Sequence, residues 1–260
     1  MNKIIKNLII PMAGKGERFK KYNFKTIKPL IQIDKECILE KSIKNLPKSQ
    51  KKYIILNKKI LKKSIVLKKI LLKNSIDCIS LDRKTKGQAD TVNKLVNVID
   101  GQEDALIHSC DYILKFNLNK FFNLKKSSDV IIFVSKLEDK IVQDFNSFAY
   151  CKTDKKNNVI KIVEKKIISK NPDQDHVITG SFWFKKISQC FLSQQISLKE
   201  NKKINNEFYI ANNINNLMKY GLKVKILEVE NWINLGDYFS FKQYIYWQDF
   251  FGNNIDLKKC

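Results

Sequence analysis

"IIPMAGKGERF", residues 9–19, decides how the rest of the chain reads. An apolar run halts at Pro11, two glycines bracket Lys15, and Arg18 follows at once. A short apolar run that ends in a glycine turn suits a buried parallel strand handing over to an anion-binding loop. Gly14 and Gly16 carry no Cβ, so backbone N–H groups there can approach anionic oxygens closely. Two familiar phosphate patterns fail. A P-loop needs GxxxxGK[ST], which is absent, and the dinucleotide fingerprint GxGxxG would need a glycine where Phe19 stands. What remains is GxGxR, then Lys28-Pro29 about ten residues on. That combination gathers backbone donors, a guanidinium fork and an ammonium around one polyphosphate.

Arg18 is unusual in its setting. Of 49 lysines and arginines only Arg18 and Arg83 are arginine, so 47 are lysine, and the net charge is +23. Such a balance suggests nucleic acid at first sight. The lysines are scattered through nearly every predicted element, however, and a dedicated nucleic-acid surface more often includes arginine for bidentate phosphate contacts. No nucleic-acid partner is expected, although weak attraction to anions, nucleotides among them, remains. A lysine-rich RNA-binding protein is the alternative, and the salt dependence of RNA binding separates the two.

At 260 residues with 43% hydrophobic side chains the chain can bury one sizeable core. No apolar segment approaches the ~20 residues that span a bilayer, and the N-terminus lacks a signal-like region, so a cytoplasmic protein is expected, with no membrane insertion. Six cysteines form no CxxC pair, and two histidines are too few for a zinc pattern; separate reduced thiols are expected.

Strand and helix alternate through the first half. Residues 7–12, 52–57, 77–81 and 104–111 read as strands, and 37–46, 60–74 and 88–99 as helices. In 60–74, Leu61, Ile65, Leu67, Leu71 and Leu72 are expected on one apolar face. After residue 128 the chain turns strand-rich ("DVIIFVS", "FAYCKTD", "VIKIVEKK", "VITGSFWFK"). Helices are then expected near 186–197 and at 207–220, a strand in "KVKILEVE", and a closing aromatic helix at 238–251. The economical reading is one α/β domain over 1–260 with a mixed, mainly parallel central sheet flanked by helices. It divides into an alternating first half (1–128), a strand-rich half (129–237) and a C-terminal helix (238–260).

In order along the chain, "IIPMAGKGERF" with "IKPL", "KGQADTV" (86–92), "LIHSCDYIL" (106–114), "VEKK" (163–166), "TGSFWF" (179–184), "NNEFYI" (205–210) and "WINLGD" (232–237) resemble the motifs of the sugar-phosphate nucleotidylyltransferases, with their Rossmann-like fold. The resemblance implies an enzyme that joins an NTP to a sugar 1-phosphate or similar phosphorylated acceptor, releasing pyrophosphate, with Mg²⁺ as cofactor. A surface-polysaccharide role and a possible homodimer are further expectations. It implies catalytic roles for Arg18, Lys28, Asp111 and Lys165. Ala13, Gly14, Gly16, Gly87 and Gln88 would hold the nucleotide. Glu164, Thr179, Gly180 and Glu207 would hold the acceptor. Asp111 and Asn234 would face the metal. His108 and His176 receive no role.

Two departures stand out. The residue before the strand-end aspartate, usually glycine, is Cys110, and the late carboxylate expected two residues after Trp232 is Asn234. Asp237 is then expected to cap the closing helix. A catalytically inactive nucleotide-sugar-binding or regulatory module of the same fold is the alternative that Asn234 favours.

Overall fold

The computed structural model describes residues 3–14, 19, 21–22, 24, 26–137, 142 and 144–254, the last three by backbone alone. Its strands run in chain order as β1 (Ile4–Met12), β2 (Gln32–Ile33), β3 (Glu36–Cys37), β4 (Lys48–Asn57), β5 (Asp77–Leu81), β6 (Ala105–Ile107), β7 (Tyr112–Lys115), β8 (Val130–Ser135), β9 (Ala149–Thr153), β10 (Val159–Glu164), β11 (His176–Phe184), β12 (Val224–Glu228) and β13 (Asn231–Asn234). Ile5, Leu8, Ile9, Ile10 and Met12 of β1 are all buried. Helices cover both faces of this strand, which is why its apolar run has no polar alternation.

β1 pairs in parallel with β4 on one side and β6 on the other, and β4 carries β5 at the edge. Beyond β6 the sheet turns antiparallel through β11, β9 and β10, while β8 pairs with β11 and, in parallel, with β12. The result is a mixed nine-stranded sheet. Alternate residues feed two cores. Ile9, Ile55, Ile107 and Ile132 face the helices Ile187–Lys199 and Ile210–Lys219. Leu8, Ile10, Ile54, Leu106 and Ile131 face the opposite layer. A third cluster, Phe19, Ile31, Ile33, Ile38, Leu235 and Phe241, sits under the closing helix Tyr238–Asn254.

Several boundaries differ from the sequence expectation. Residues 60–74 are not one helix: Ser64 breaks the run and caps a new helix, Ile65–Lys73, by accepting from Leu67 N–H at 3.1 Å. The restart rotates the apolar face onto Leu67, Ile70 and Leu71 and leaves Ile65 and Leu72 exposed. Residues 104–111 are a three-residue strand, β6, followed by a turn, and the expected strand at 223–230 ends at Glu228. The helix expected at 88–99 is a short α-turn, Gln88–Val92, continued by a 3₁₀ turn. The helix expected at 207–220 starts only at Ile210. Glu207 therefore lies before the helix, with no dipole to favour. Among the described residues no helix is long and apolar enough to cross a membrane. The five described cysteines are free thiols; Cys260 lies outside the described residues.

Candidate active site

From β1 the chain moves to β4 and β5 on one side, then returns to place β6 on the other. Open α/β sheets bind ligands at such a switch, outside the carboxyl ends of the two strands. Here those ends are Ala13 and Gly14 after β1, and Ser109, Cys110 and Asp111 after β6. A cleft of about 1290 Å³ opens there. Ala13, Gly14, Lys28, Gly87, Gln88, Asp111, Glu164, Lys165, Gly180, Glu207 and Asn234, eleven of the residues named from sequence, all line it. Arg18 and Gly16 lie outside the described residues.

Lys28 is fixed by a 3₁₀ turn, Lys28–Leu30, whose Pro29 and Leu30 are buried. Its ammonium pairs with the Asp111 carboxylate, donates to the Gly236 carbonyl at 3.2 Å and lies 5.9 Å from the centre of the Phe19 ring. Leu235 N–H donates to the Asp111 carbonyl at 2.9 Å, so the segment after β13 is tied beside the aspartate. Gly236 is the reason they can meet. A Cβ on it would lie 2.8 Å from Asn234 Oδ1 and 3.0 Å from Asp111 Oδ2. The sequence reading listed the motif but gave Gly236 no role; its signal was a glycine just before Asp237 in "WINLGD".

Asn234 is oriented on both sides. Its Oδ1 accepts from Gly236 N–H at 2.7 Å, and its amide donates to Asp237 Oδ2 at 3.1 Å. Asp237 accepts from Ser240 N–H at 2.9 Å and Ser240 Oγ at 2.8 Å, the pattern of an N-cap on the closing helix. The hard oxygens of Asp111 and Asn234 converging on a position without a Cβ fit a small divalent cation. Among the described residues no three His, Cys, Asp or Glu side chains gather into a metal cluster.

On one wall of the cleft, Gly87 has φ +100°, and a Cβ there would meet the Phe208 carbonyl oxygen at 2.5 Å. Phe208 N–H donates to the Lys86 carbonyl at 2.8 Å and Ala89 N–H to the Phe208 carbonyl at 3.1 Å. The loop before Gln88 and the segment Glu207–Phe208 are thus one hydrogen-bonded unit. Thr91 Oγ1 donates to the Gly87 carbonyl at 2.9 Å and shares a 2.7 Å bond with Thr85, two contacts that sequence reading missed.

On the acceptor side, Lys165 has φ 56°, the left-handed region that a long side chain rarely adopts. The bend aims its ammonium at the Ser147 carbonyl and over the Tyr209 ring, 5.8 Å from the centroid. Tyr209 donates to Glu207 Oε2 at 2.7 Å. Burial, reinforced by the charge of Glu207 and opposed by Lys165, pushes the Glu164 carboxyl up to about 7. Gly180, at φ +74°, brings β11 against Ser109, whose Oγ donates to the Gly180 carbonyl at 3.2 Å. Thr179 is not in the cleft. It is fully buried, its hydroxyl donates to the Phe133 carbonyl at 3.0 Å, and its part is to bind β11 to β8. His108 is buried, with Ser181 Oγ at 2.7 Å from one ring nitrogen and the Tyr112 carbonyl at 3.0 Å from the other. Burial takes it down to about 4, so it packs as a neutral ring.

A pH test follows from Glu164. The folded chain keeps the proton that an ordinary carboxyl loses near 4.5. Stability is therefore fully present below the ordinary value and falls as pH rises from about 4.5 to about 7. Glu164→Gln stays neutral throughout. It is expected to exceed the native protein in stability by up to about 3 kcal/mol at pH 8 and to gain nothing at pH 4. Urea midpoints at the two pH values check this; a difference of equal size at both would remove the charge argument.

The arrangement suits a nucleotidyltransferase: Gly14 follows one strand, Asp111 lies in the turn after its parallel neighbour, and Lys28 pairs with that aspartate in a single cleft. The sequence profile of the family described as Nucleotidyl transferase matches residues 7–250, and the chain belongs to that family. Solved structures share the fold. The nucleoside-diphosphate-sugar pyrophosphorylase from Vibrio cholerae RC9 aligns at TM-score 0.73 and 18% identity, over 92% of this chain and 99% of its own. The inositol-1-phosphate CTP transferase from T. maritima aligns at 0.70 and 15%, over 96% and 98%. A putative glucose-1-phosphate thymidylyltransferase from Bacillus anthracis aligns at 0.69 and 16%, over 97% and 96%. A search of curated proteins returned no match.

Proposed function

We propose that the protein condenses an NTP with a sugar 1-phosphate or a similarly phosphorylated alcohol, giving an activated product and pyrophosphate for surface-polysaccharide synthesis. The observation that carries this reading is the Lys28–Asp111 pair on the cleft floor, between the glycine loop and the Asn234–Asp237 segment. A cation and an anion held together there match a polyphosphate that arrives with a cation of its own. The triphosphate would take over the Lys28 ammonium, and the divalent ion the Asp111 carboxylate.

An oxygen of the acceptor phosphate attacks the α-phosphorus in line, the bond to the β-phosphate oxygen breaks, and pyrophosphate departs. The attacking oxygen is already anionic, so no general base is needed; positioning and charge neutralisation carry the step. Arg18 and Lys28 bind the leaving phosphates. Lys165 holds the acceptor phosphate, and Glu164 and Glu207 accept or donate hydrogen bonds to its hydroxyls. Gly87 and Gln88 present backbone and amide groups to the base. Asp111 and the side-chain carbonyl of Asn234 would hold Mg²⁺, which would neutralise charge on the phosphates.

Pyrophosphate release from a panel of NTPs against sugar 1-phosphates and small phosphorylated alcohols tests this. Release with at least one pair is expected; none with any pair would favour the inactive module that Asn234 suggests. Arg18→Lys is expected to lower turnover about 10²-fold with the fold unchanged, because a point charge replaces a bidentate donor on the leaving group. Turnover near the native value would end this role for Arg18.

The metal ligands separate by titration. Asn234→Asp is expected to lower the Mg²⁺ midpoint and keep activity, since a carboxylate binds a hard cation better than an amide. Asp237→Asn is expected to cost about 1 kcal/mol or less of stability and leave the midpoint alone. A midpoint that moves with Asp237→Asn and not with Asn234→Ala would transfer the ligand role to Asp237.

A further inference from the structure

Four rings crowd the outer surface at the end of the closing helix. Tyr246, Trp247, Phe250 and Phe251 are 61%, 50%, 45% and 50% exposed. They touch one another: centroids are 5.3 Å apart for Tyr246–Trp247, 5.7 Å for Trp247–Phe251 and 5.4 Å for Phe250–Phe251. The first turns of the same helix behave differently. There Phe241 is buried against Phe19 and Phe24, closing the small core beneath Lys28. The inner aromatics build the site, and the outer ones have no part in it beyond Trp247, which lies at the cleft mouth.

A contiguous exposed aromatic patch marks an interaction surface. We infer that this helix end docks the enzyme on an anionic lipid surface. Tryptophan and tyrosine carry an apolar body and a polar edge and settle at headgroup level, with phenylalanine reaching below. Charge selects the occupant. A protein of net charge +23 is drawn to an anionic leaflet, and the same charge repels a second copy. With no helix among the described residues able to cross a bilayer, the contact is peripheral. Because Trp247 borders both patch and cleft, docking turns the cleft entrance toward the membrane plane. The inference is independent of which acceptor the cleft takes.

The chain carries its own reporter. Trp183 and Trp232 are 1% and 2% exposed, so a change in tryptophan emission on docking comes from Trp247. With the full-length protein, phosphatidylglycerol-containing vesicles are expected to pull it down and shift its emission to the blue, and pure phosphatidylcholine vesicles to do neither. Phe250→Ser with Phe251→Ser is expected to weaken partitioning about tenfold or more and to abolish the shift, with the melting curve unchanged. Three results would overturn the inference. Vesicle binding without a blue shift, and unaltered by the double variant, is adsorption by lysines alone. A blue shift that tracks protein concentration without lipid, with a dimer mass in sedimentation, assigns the patch to a second copy. Vesicle binding that begins only after residues 255–260 are removed assigns it to the chain's own tail.

Discussion

Asp111→Asn is expected to reduce Mg²⁺-dependent turnover by about 10³-fold or more while the protein remains folded and still binds nucleotide. The carboxylate stands after β6 at the switch point, joined to the Lys28 ammonium and level with Asn234 Oδ1 across Gly236. Asparagine keeps the shape and an oxygen for Lys28, so the turn and the bond from Leu235 N–H to the residue 111 carbonyl survive. What goes is the anionic charge that stands beside the Asn234 Oδ1 across Gly236. The neutralisation of phosphate charge it anchors amounts to several kcal/mol, which sets the size of the loss. Nucleotide affinity depends more on the glycine loop and Lys28, which the substitution leaves in place. Steady-state rates across a Mg²⁺ series, with nucleotide binding by calorimetry beside them, decide it. A variant that turns over with unaltered Mg²⁺ dependence would make Asp111 a structural residue.

Gly87→Ala is expected to cost about 3 kcal/mol of stability and to raise the KM for both substrates together. The residue is held at φ +100°, and the new Cβ would fall 2.5 Å from the Phe208 carbonyl oxygen and 2.7 Å from its nitrogen. Both obstacles are backbone, so no side-chain rotation relieves them. An unfavourable φ costs about 1–2 kcal/mol, and displacing Phe208 weakens two hydrogen bonds worth about 1 kcal/mol each. The same displacement moves Glu207, which precedes Phe208 and lines the cleft. A substitution in the nucleotide loop should therefore be felt by the acceptor. Denaturant unfolding and a two-substrate kinetic analysis check this. A rise in the nucleotide KM alone would show that the two segments act separately.

Much of this protein was legible in the residues themselves. The unbroken apolar run before Gly14 announced a strand covered on both faces, because only burial on both sides dispenses with alternation. Residues at odds with their setting marked the site: Arg18 in a lysine-rich chain, Lys28 before a proline ten residues on, Asp111 after an apolar run, Asn234 where a carboxylate was expected. These are local signals, carried by neighbours in the chain. The helix break at Ser64 was local too, yet the stronger periodic pattern around it masked it, since one serine inside a helix costs little and does not by itself announce a cap.

Other features existed only once distant segments met. Nothing near Gly87 in sequence calls for a positive φ; Phe208, more than a hundred residues away, does. Gly236 needs to lack a Cβ because Asp111 comes from another part of the chain to share its space. Thr179 and Gly180 looked equally suited to an acceptor, and strand geometry sent one to β8 and the other to the cleft. Glu164 holds its proton toward neutral pH because the fold buries it beside Glu207. Sequence alone thus determined which elements form and which residue types carry chemistry, because periodicity and composition act along the chain. Tertiary structure decided which of them share space, because close approach, burial and the field of a neighbouring charge act across it.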